Sequence, residues 1–222
     1  MVPTTPAYSP PPDDGLAIRY IDDALLVVDK PAGLLSVPGR GADKQDSLAS
    51  RVQARYPGAR VVHRLDMSTS GLLVLALDAD IQRALGRQFE LRQVDKRYVA
   101  VVAGRVADME RTIDLPLITD WPNRPRQIVD FVRGKPALTR LQVLAYAAAS
   151  DTTRVQLMPE TGRSHQLRVH LQAIGHPILG DDLYAPPARL DQAPRLMLHA
   201  AFLAFTHPRS AMRLAVDSPP PF

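Results

Sequence analysis

Short apolar runs bounded by charged or turn-forming residues recur along most of this chain, whereas apolar residues at helical spacing are confined to three stretches. Ile18–Ile21 predicts a short strand and Asp22-Asp23 a turn. Leu25–Val28 predicts a second strand, ended by Asp29-Lys30-Pro31. Val61 and Val62 are β-branched and suit a strand, and Leu72–Leu77 is an apolar run short enough for a buried one. Lys96–Gly104 is a strand with a basic start. Leu141–Tyr146 and Thr153–Met158 pair as a hairpin across a turn at Ala147–Asp151. A last long strand region runs from Arg195 to His207.

The helical stretches announce their ends. Ser47 caps a helix through Tyr56, with Leu48, Ala49 and Val52 on one face and Pro57-Gly58 as its stop. Asp78 or Asp80 caps a second, where Ile81, Ala84, Leu85 and Phe89 form the apolar stripe. Ser164 is expected to cap a third, His165–Ile174, with Leu167, Leu171 and Ile174 facing inward and Gly175 ending it. Strands outnumber helices and come as hairpins rather than in regular strand–helix–strand alternation. That pattern predicts an α+β fold on a largely antiparallel sheet.

One stretch breaks the pattern. Between the strands at Val61-Val62 and Leu72–Leu77 sits His63-Arg64-Leu65-Asp66-Met67-Ser68-Thr69-Ser70-Gly71. Charged residues between core strands violate a local rule, and such violations cluster at functional sites. Asp66 reads in two ways. It can cap the backbone of a Ser/Thr/Gly turn, with Arg64 as its salt-bridge partner, or act as a catalytic carboxylate at a strand end. Gly71 allows close approach of backbone or ligand.

Composition narrows the setting. The chain has 222 residues, 45% of them hydrophobic, enough for a substantial core. No apolar run approaches the ~20 residues of a membrane span. The first residues lack the basic and apolar regions of a secretory signal. With no cysteine there are no disulfides, thiolate ligands or thiol nucleophiles. A net charge of +4 mildly favours a polyanionic partner. Distribution says more: residues 120–140 hold Arg124, Arg126, Arg133, Lys135 and Arg140 against Asp120 and Asp130, and are stiffened by prolines. Such a loop suits an RNA backbone, or is a surface hairpin with ordinary charges. The six histidines are scattered with no metal-ligand spacing, so no metal is expected.

His63-Arg64-Leu65-Asp66 followed by Thr69-Ser70-Gly71 resembles the catalytic motif of the RluA family of pseudouridine synthases. Similar blocks occur elsewhere in the family's order. They are Lys30-Pro31-Ala32-Gly33, then Lys96, Tyr98 and Ala100, then Thr161–His170, His176–Tyr184 and Arg195–Ala200. Asp120–Pro125, D-W-P-N-R-P, is similar to the subgroup that modifies both tRNA and large-subunit rRNA. The resemblance spans about Ile18 to Phe222.

The resemblance implies a pseudouridine synthase fold, with a largely antiparallel mixed central sheet flanked by helices and an active cleft across it. Residues 1–15 are expected as a flexible Pro-rich tail and 16–222 as one catalytic domain that supplies RNA recognition itself. The implied catalytic residues are Asp66, Tyr98 and Arg168. Arg168 would pair with the aspartate and hold it charged, and Tyr98 would stack on the base. The implied substrate contacts are Arg64, His63, Lys30, Lys96, Arg124, Arg126, Arg163 and His165. From the residues alone, Lys30 reads as an ordinary exposed lysine and Tyr98 as a half-buried strand aromatic. The implied reaction isomerises uridine to pseudouridine in tRNA and 23S rRNA stem-loops. It is redox-neutral, so no cofactor is expected. A cytoplasmic monomer that does not bind membranes is the matching expectation. A non-catalytic RNA-binding protein of the same fold and a base-releasing hydrolase remain as rival readings.

Overall fold

The computed structural model describes residues 8–222. The chain opens with β1 (Ile18–Ile21) and β2 (Leu25–Lys30), then α1 (Leu48–Arg55), β3 (Arg60–Val61), β4 (Ser70–Ala76) and α2 (Ala79–Glu90). Next come β5 (Asp95–Ala103), β6 (Glu110–Asp114), β7 (Leu117–Thr119), β8 (Gln127–Val129), β9 (Leu138–Ala147) and β10 (Thr152–Pro159). The chain closes with α3 (Gln166–Ala173), α4 (Pro187–Leu190), β11 (Leu198–Thr206) and β12 (Arg213–Asp217). Ten strands form one sheet, whose main path runs β1-β2-β4-β11-β5-β10-β9-β6, with β12 beside β11 and β3 beside β4. Strands β7 and β8 make a separate antiparallel hairpin.

The sheet is antiparallel except where β4 and β11 run parallel for two residue pairs, Ser70 with His199 and Gly71 with Ala200. This short junction joins two halves. Gly71 has φ +113°, and a Cβ there would collide with the Ala200 backbone, so the close approach requires glycine. On one half, α1 covers one face and α2 the other. Leu26, Val28, Leu73 and Leu75 pack toward α1, and Leu25, Val27, Leu72 and Val74 toward α2. Each such fully buried side chain contributes about 1.5–3 kcal/mol through removal of apolar surface from water. On the other half, α3 packs Leu167 and Leu171 on Val155, Leu157 and Leu141. Tyr98 of β5 lies between Leu157 and Ala200 and touches the cores of both halves.

The helix caps follow local chemistry in two cases. Ser47 and Ser50 form a reciprocal capping box on α1, and Asp78 accepts the Ile81 N–H at 2.7 Å on α2. The third departs from expectation. The residue capping α3 is His165, in a left-handed conformation with φ 53°, and Ser164 makes no cap. The Gln166 side chain instead folds back on the preceding loop, accepting from Arg163 N at 3.0 Å and from Thr161 Oγ1 at 2.7 Å. Of the expected tail, residues 1–7 lie outside the described residues. Residues 8–15 lie along α1: the Tyr8 hydroxyl donates to Asp46 O and accepts from Leu35 N, both at 3.0 Å, and Arg51 donates to the carbonyls of Pro11 and Pro12.

Candidate active site

The segment between β3 and β4 is held by side chains from elsewhere. Ser36 Oγ donates to Leu65 O at 2.7 Å and accepts from Leu65 N at 3.0 Å. Two residues on, Met67 O accepts from Lys30 Nζ at 3.0 Å and from Gly33 N at 2.9 Å. Asp66 sits between these two anchored carbonyls. Its own backbone closes the turn, accepting from Thr69 N at 3.1 Å. Its carboxylate receives no hydrogen bond among the described residues, and its side chain is 29% accessible. The turn-capping reading of Asp66 therefore describes its backbone and leaves the carboxylate free for other work.

Arg168 faces that carboxylate from α3. Its Nη1 lies 4.0 Å from Asp66 Oδ2. Its hydrogen bonds go elsewhere: Nε donates to Asp181 Oδ2 at 2.8 Å, and Nη2 donates to Asp181 Oδ1 at 2.6 Å and to Asp182 Oδ1 at 3.0 Å. Asp181 is fully buried and also accepts the Leu183 and Tyr184 N–H groups. Burial opposes the charge on Arg168, yet the bond to Asp181 and the charges of Asp181, Asp66 and Asp182 outweigh it and raise its pKa. A fixed guanidinium thus presents one edge to Asp66 across a gap. Gly180 makes the turn into Asp181 with φ +68°, where a Cβ would collide with the Arg195 backbone.

Asp66 and Arg168 share a cleft of about 110 Å³ with Tyr98, Arg64, Lys96, Arg163 and His165, among others. Burial, reinforced by the charge of Asp66, raises the Tyr98 phenol pKa, so the hydroxyl keeps its proton. Burial lowers the pKa of Lys96, and the nearby charge of Arg92 adds to that. Burial also lowers His165, and its Nδ1 lies 2.7 Å from the Tyr184 hydroxyl. Arg64 and Arg163 are exposed at the edge.

Other sequence-predicted contacts lie outside the cleft. Lys30 is the last residue of β2, not the start of a loop, and it is fully buried. Its ammonium donates to Pro31 O, Leu34 O and Met67 O at 2.9, 2.7 and 3.0 Å, so it supports the Asp66 turn from beneath and does not meet solvent as an exposed lysine. Burial pushes its pKa down to about 7, a shift partly offset by Asp66. His63 fills a gap beside β4: its Nε2 accepts the Val74 N–H at 3.1 Å and its ring stacks on Phe89 at 4.5 Å. Burial lowers its pKa to about 3. His63 is thus a neutral part of the packing beside β4, outside the cleft lining. Arg124 and Arg126 lie in the β7–β8 connection. Arg124 covers Trp121 at 4.6 Å, and Arg126 covers Tyr184 at 5.4 Å, next to the cleft. Among the described residues there is no group of three or more His, Asp or Glu able to hold a metal ion. None of the helices described is long and apolar enough to cross a membrane.

Residues 24–173 match the family described as RNA pseudouridylate synthase. The chain belongs to that family. It is 53% identical over 215 residues to the dual-specificity RNA pseudouridine synthase RluA of Escherichia coli K12, covering 97% of this chain and 98% of that one. It is 51% identical over 216 residues to the protein of the same name from Pasteurella multocida, with the same coverage. Among solved structures, human RNA Pseudouridylate Synthase Domain Containing 1 aligns with a TM-score of 0.80 and 35% identity, covering 96% of this chain and 87% of the human one. The α+β fold expected from the strand pattern is that of this synthase family.

Sequence reasoning on this synthase missed the partners Asp181 and Asp182 of Arg168 and the contact of Tyr184 with His165. The signal was the buried arginine itself: a guanidinium on the inner side of a helix needs a carboxylate, and a single partly exposed Asp66 does not satisfy it.

Proposed function

We propose that this pseudouridylate synthase isomerises specific uridines in tRNA and 23S rRNA stem-loops, with Asp66 as the reacting carboxylate. The observation that carries the reading is an accessible carboxylate that takes no hydrogen bond among the described residues, held by anchored backbone in a cleft that also contains Tyr98 and Arg168. The relatives named dual-specificity RNA pseudouridine synthases support action on more than one RNA. In the reaction the C1′–N1 bond breaks, the uracil turns, a C1′–C5 bond forms, and the proton at C5 is lost as N1 gains one. Atoms and electrons balance without a redox partner. The uridine must first leave its stack, which costs a few kcal/mol and least in a loop. Tyr98 offers a ring face to the everted base, and its retained proton keeps the ring neutral. Arg168 orients Asp66 through charge. Arg64 and Arg163 hold RNA at the edge, and Arg124 and Arg126 meet phosphates. The same reading has the enzyme act as a cytoplasmic monomer.

The test is incubation of the protein with tRNA and 23S rRNA stem-loops, followed by mapping of pseudouridine and assay of free uracil. Pseudouridine at discrete positions, with no uracil released, is the expected result. Released uracil would make the protein a hydrolase, and bound but unaltered RNA would make it a binding protein.

A further inference from the structure

Tyr184 does not line the cleft, yet its hydroxyl joins two of the elements around it. The side chain is 6% exposed, in a small core with Leu117, Ala137 and Val169. Its Oη accepts the Gln127 N–H of β8 at 2.8 Å and lies 2.7 Å from His165 Nδ1 at the head of α3. Burial pushes the phenol up to about 12, so the oxygen carries its proton, and a buried hydroxyl proton needs an acceptor. The Gln127 N–H can only donate. Among the described residues, His165 Nδ1 is the partner left to accept. A neutral imidazole that accepts at Nδ1 carries its hydrogen on Nε2. His165 lines the cleft, and its Nε2 has no partner among the described residues.

We propose that Tyr184 is a positioning residue: it fixes His165 as the Nε2–H tautomer, so that His165 offers a single N–H donor to a carbonyl oxygen of the everted uracil. The identity of that base rests on the proposed function; the tautomer does not. Burial opposes a charged imidazolium, as does Arg168, and together they outweigh Asp66, Asp181 and Asp182, so the ring is neutral and the Tyr184 bond selects its tautomer. The chain of bonds starts in the β7–β8 hairpin, whose Arg126 lies over the same tyrosine ring. The position of the hairpin is thereby tied to the donor in the cleft.

Nitrogen NMR of the His165 ring in the full chain at neutral pH reads the tautomer directly, with no variant and no RNA. Nε2–H is expected. The Nδ1–H tautomer or an imidazolium would overturn the inference. In Tyr184→Phe, which removes one oxygen, the ring is expected to shift toward Nδ1–H or the charged form. Single-turnover pseudouridine formation should fall about tenfold, the scale of one missing hydrogen bond. In a His165→Ala background, Tyr184→Phe should cost nothing further. Additive losses would show that Tyr184 does not act through His165. Absence of pseudouridine from wild-type reactions would sink the functional reading, and the donor's role with it, whereas a wrong tautomer overturns this inference alone.

Discussion

His63 accepts the Val74 N–H and stacks on Phe89, so protonating it breaks a sheet contact as well as charging a half-buried ring. Its pKa is about 3 in the fold, against about 6.5 for a free histidine. Between those values the unfolded chain binds the extra proton, so stability falls as pH drops from about 6.5 toward 3, by about 1.4 kcal/mol per pH unit from this residue, and its contribution is complete above 6.5. His63→Gln keeps an acceptor that does not titrate. Its urea-unfolding stability is expected to change less between pH 7 and 4.5 than that of the wild type, and parallel profiles would contradict this account. Asp181 and Asp182 make a second comparison. Asp181→Asn uncouples the buried Arg168 charge and should cost about 3–5 kcal/mol in chemical unfolding. Asp182→Asn, at a site 60% exposed, should cost within about 1 kcal/mol. Nothing in the adjacent letters separates these two aspartates. Burial separates them, and burial is decided by the turn at Gly180. The motifs singled out Asp66, Tyr98 and Arg168, which the fold brings into one cleft, whereas Lys30 and His63 carried the same motif signal and lie outside its lining.

At the scale of elements, caps that depend on neighbouring letters were legible, and those that depend on distant ones were not. Ser47 and Asp78 cap their helices as expected, while Ser164 gives way to His165 because Gln166 folds back onto Thr161 and Arg163. Strand β2 runs two residues past its expected end because Asp29 and Lys30 pair with Leu72 and Gly71 of β4, and buried there the Lys30 charge is satisfied by three carbonyls. The β7–β8 hairpin combines exposed Trp121, Arg124 and Arg126 with the bond from Gln127 to Tyr184. If its arginines meet phosphates, Arg124→Ala with Arg126→Ala should weaken stem-loop binding. The slope of log K against log salt should then flatten by about 0.7–0.9 for each phosphate that is no longer neutralised. An unchanged slope in a salt titration would move the phosphate-binding role to another surface.

At the scale of the molecule, the cleft exists because two half-sheets meet along two residue pairs of β4 and β11. That parallel junction joins segments far apart in sequence and leaves no periodic signal, so the sheet class was legible and its strand order was not. The junction brings the Asp66 turn, Tyr98 on β5 and Arg168 on α3 to one place from three separate parts of the chain. A net charge of +4 adds only a mild bias toward RNA. On the proposed function, one carboxylate carries the chemistry and the surrounding cations carry RNA binding. Single-turnover pseudouridine formation by Asp66→Asn, measured beside its stem-loop affinity and its unfolding curve, tests this directly. The account predicts a rate lower by at least about 10³-fold, with affinity and stability close to wild type. Turnover within about tenfold of wild type would show that this carboxylate does not carry the reaction.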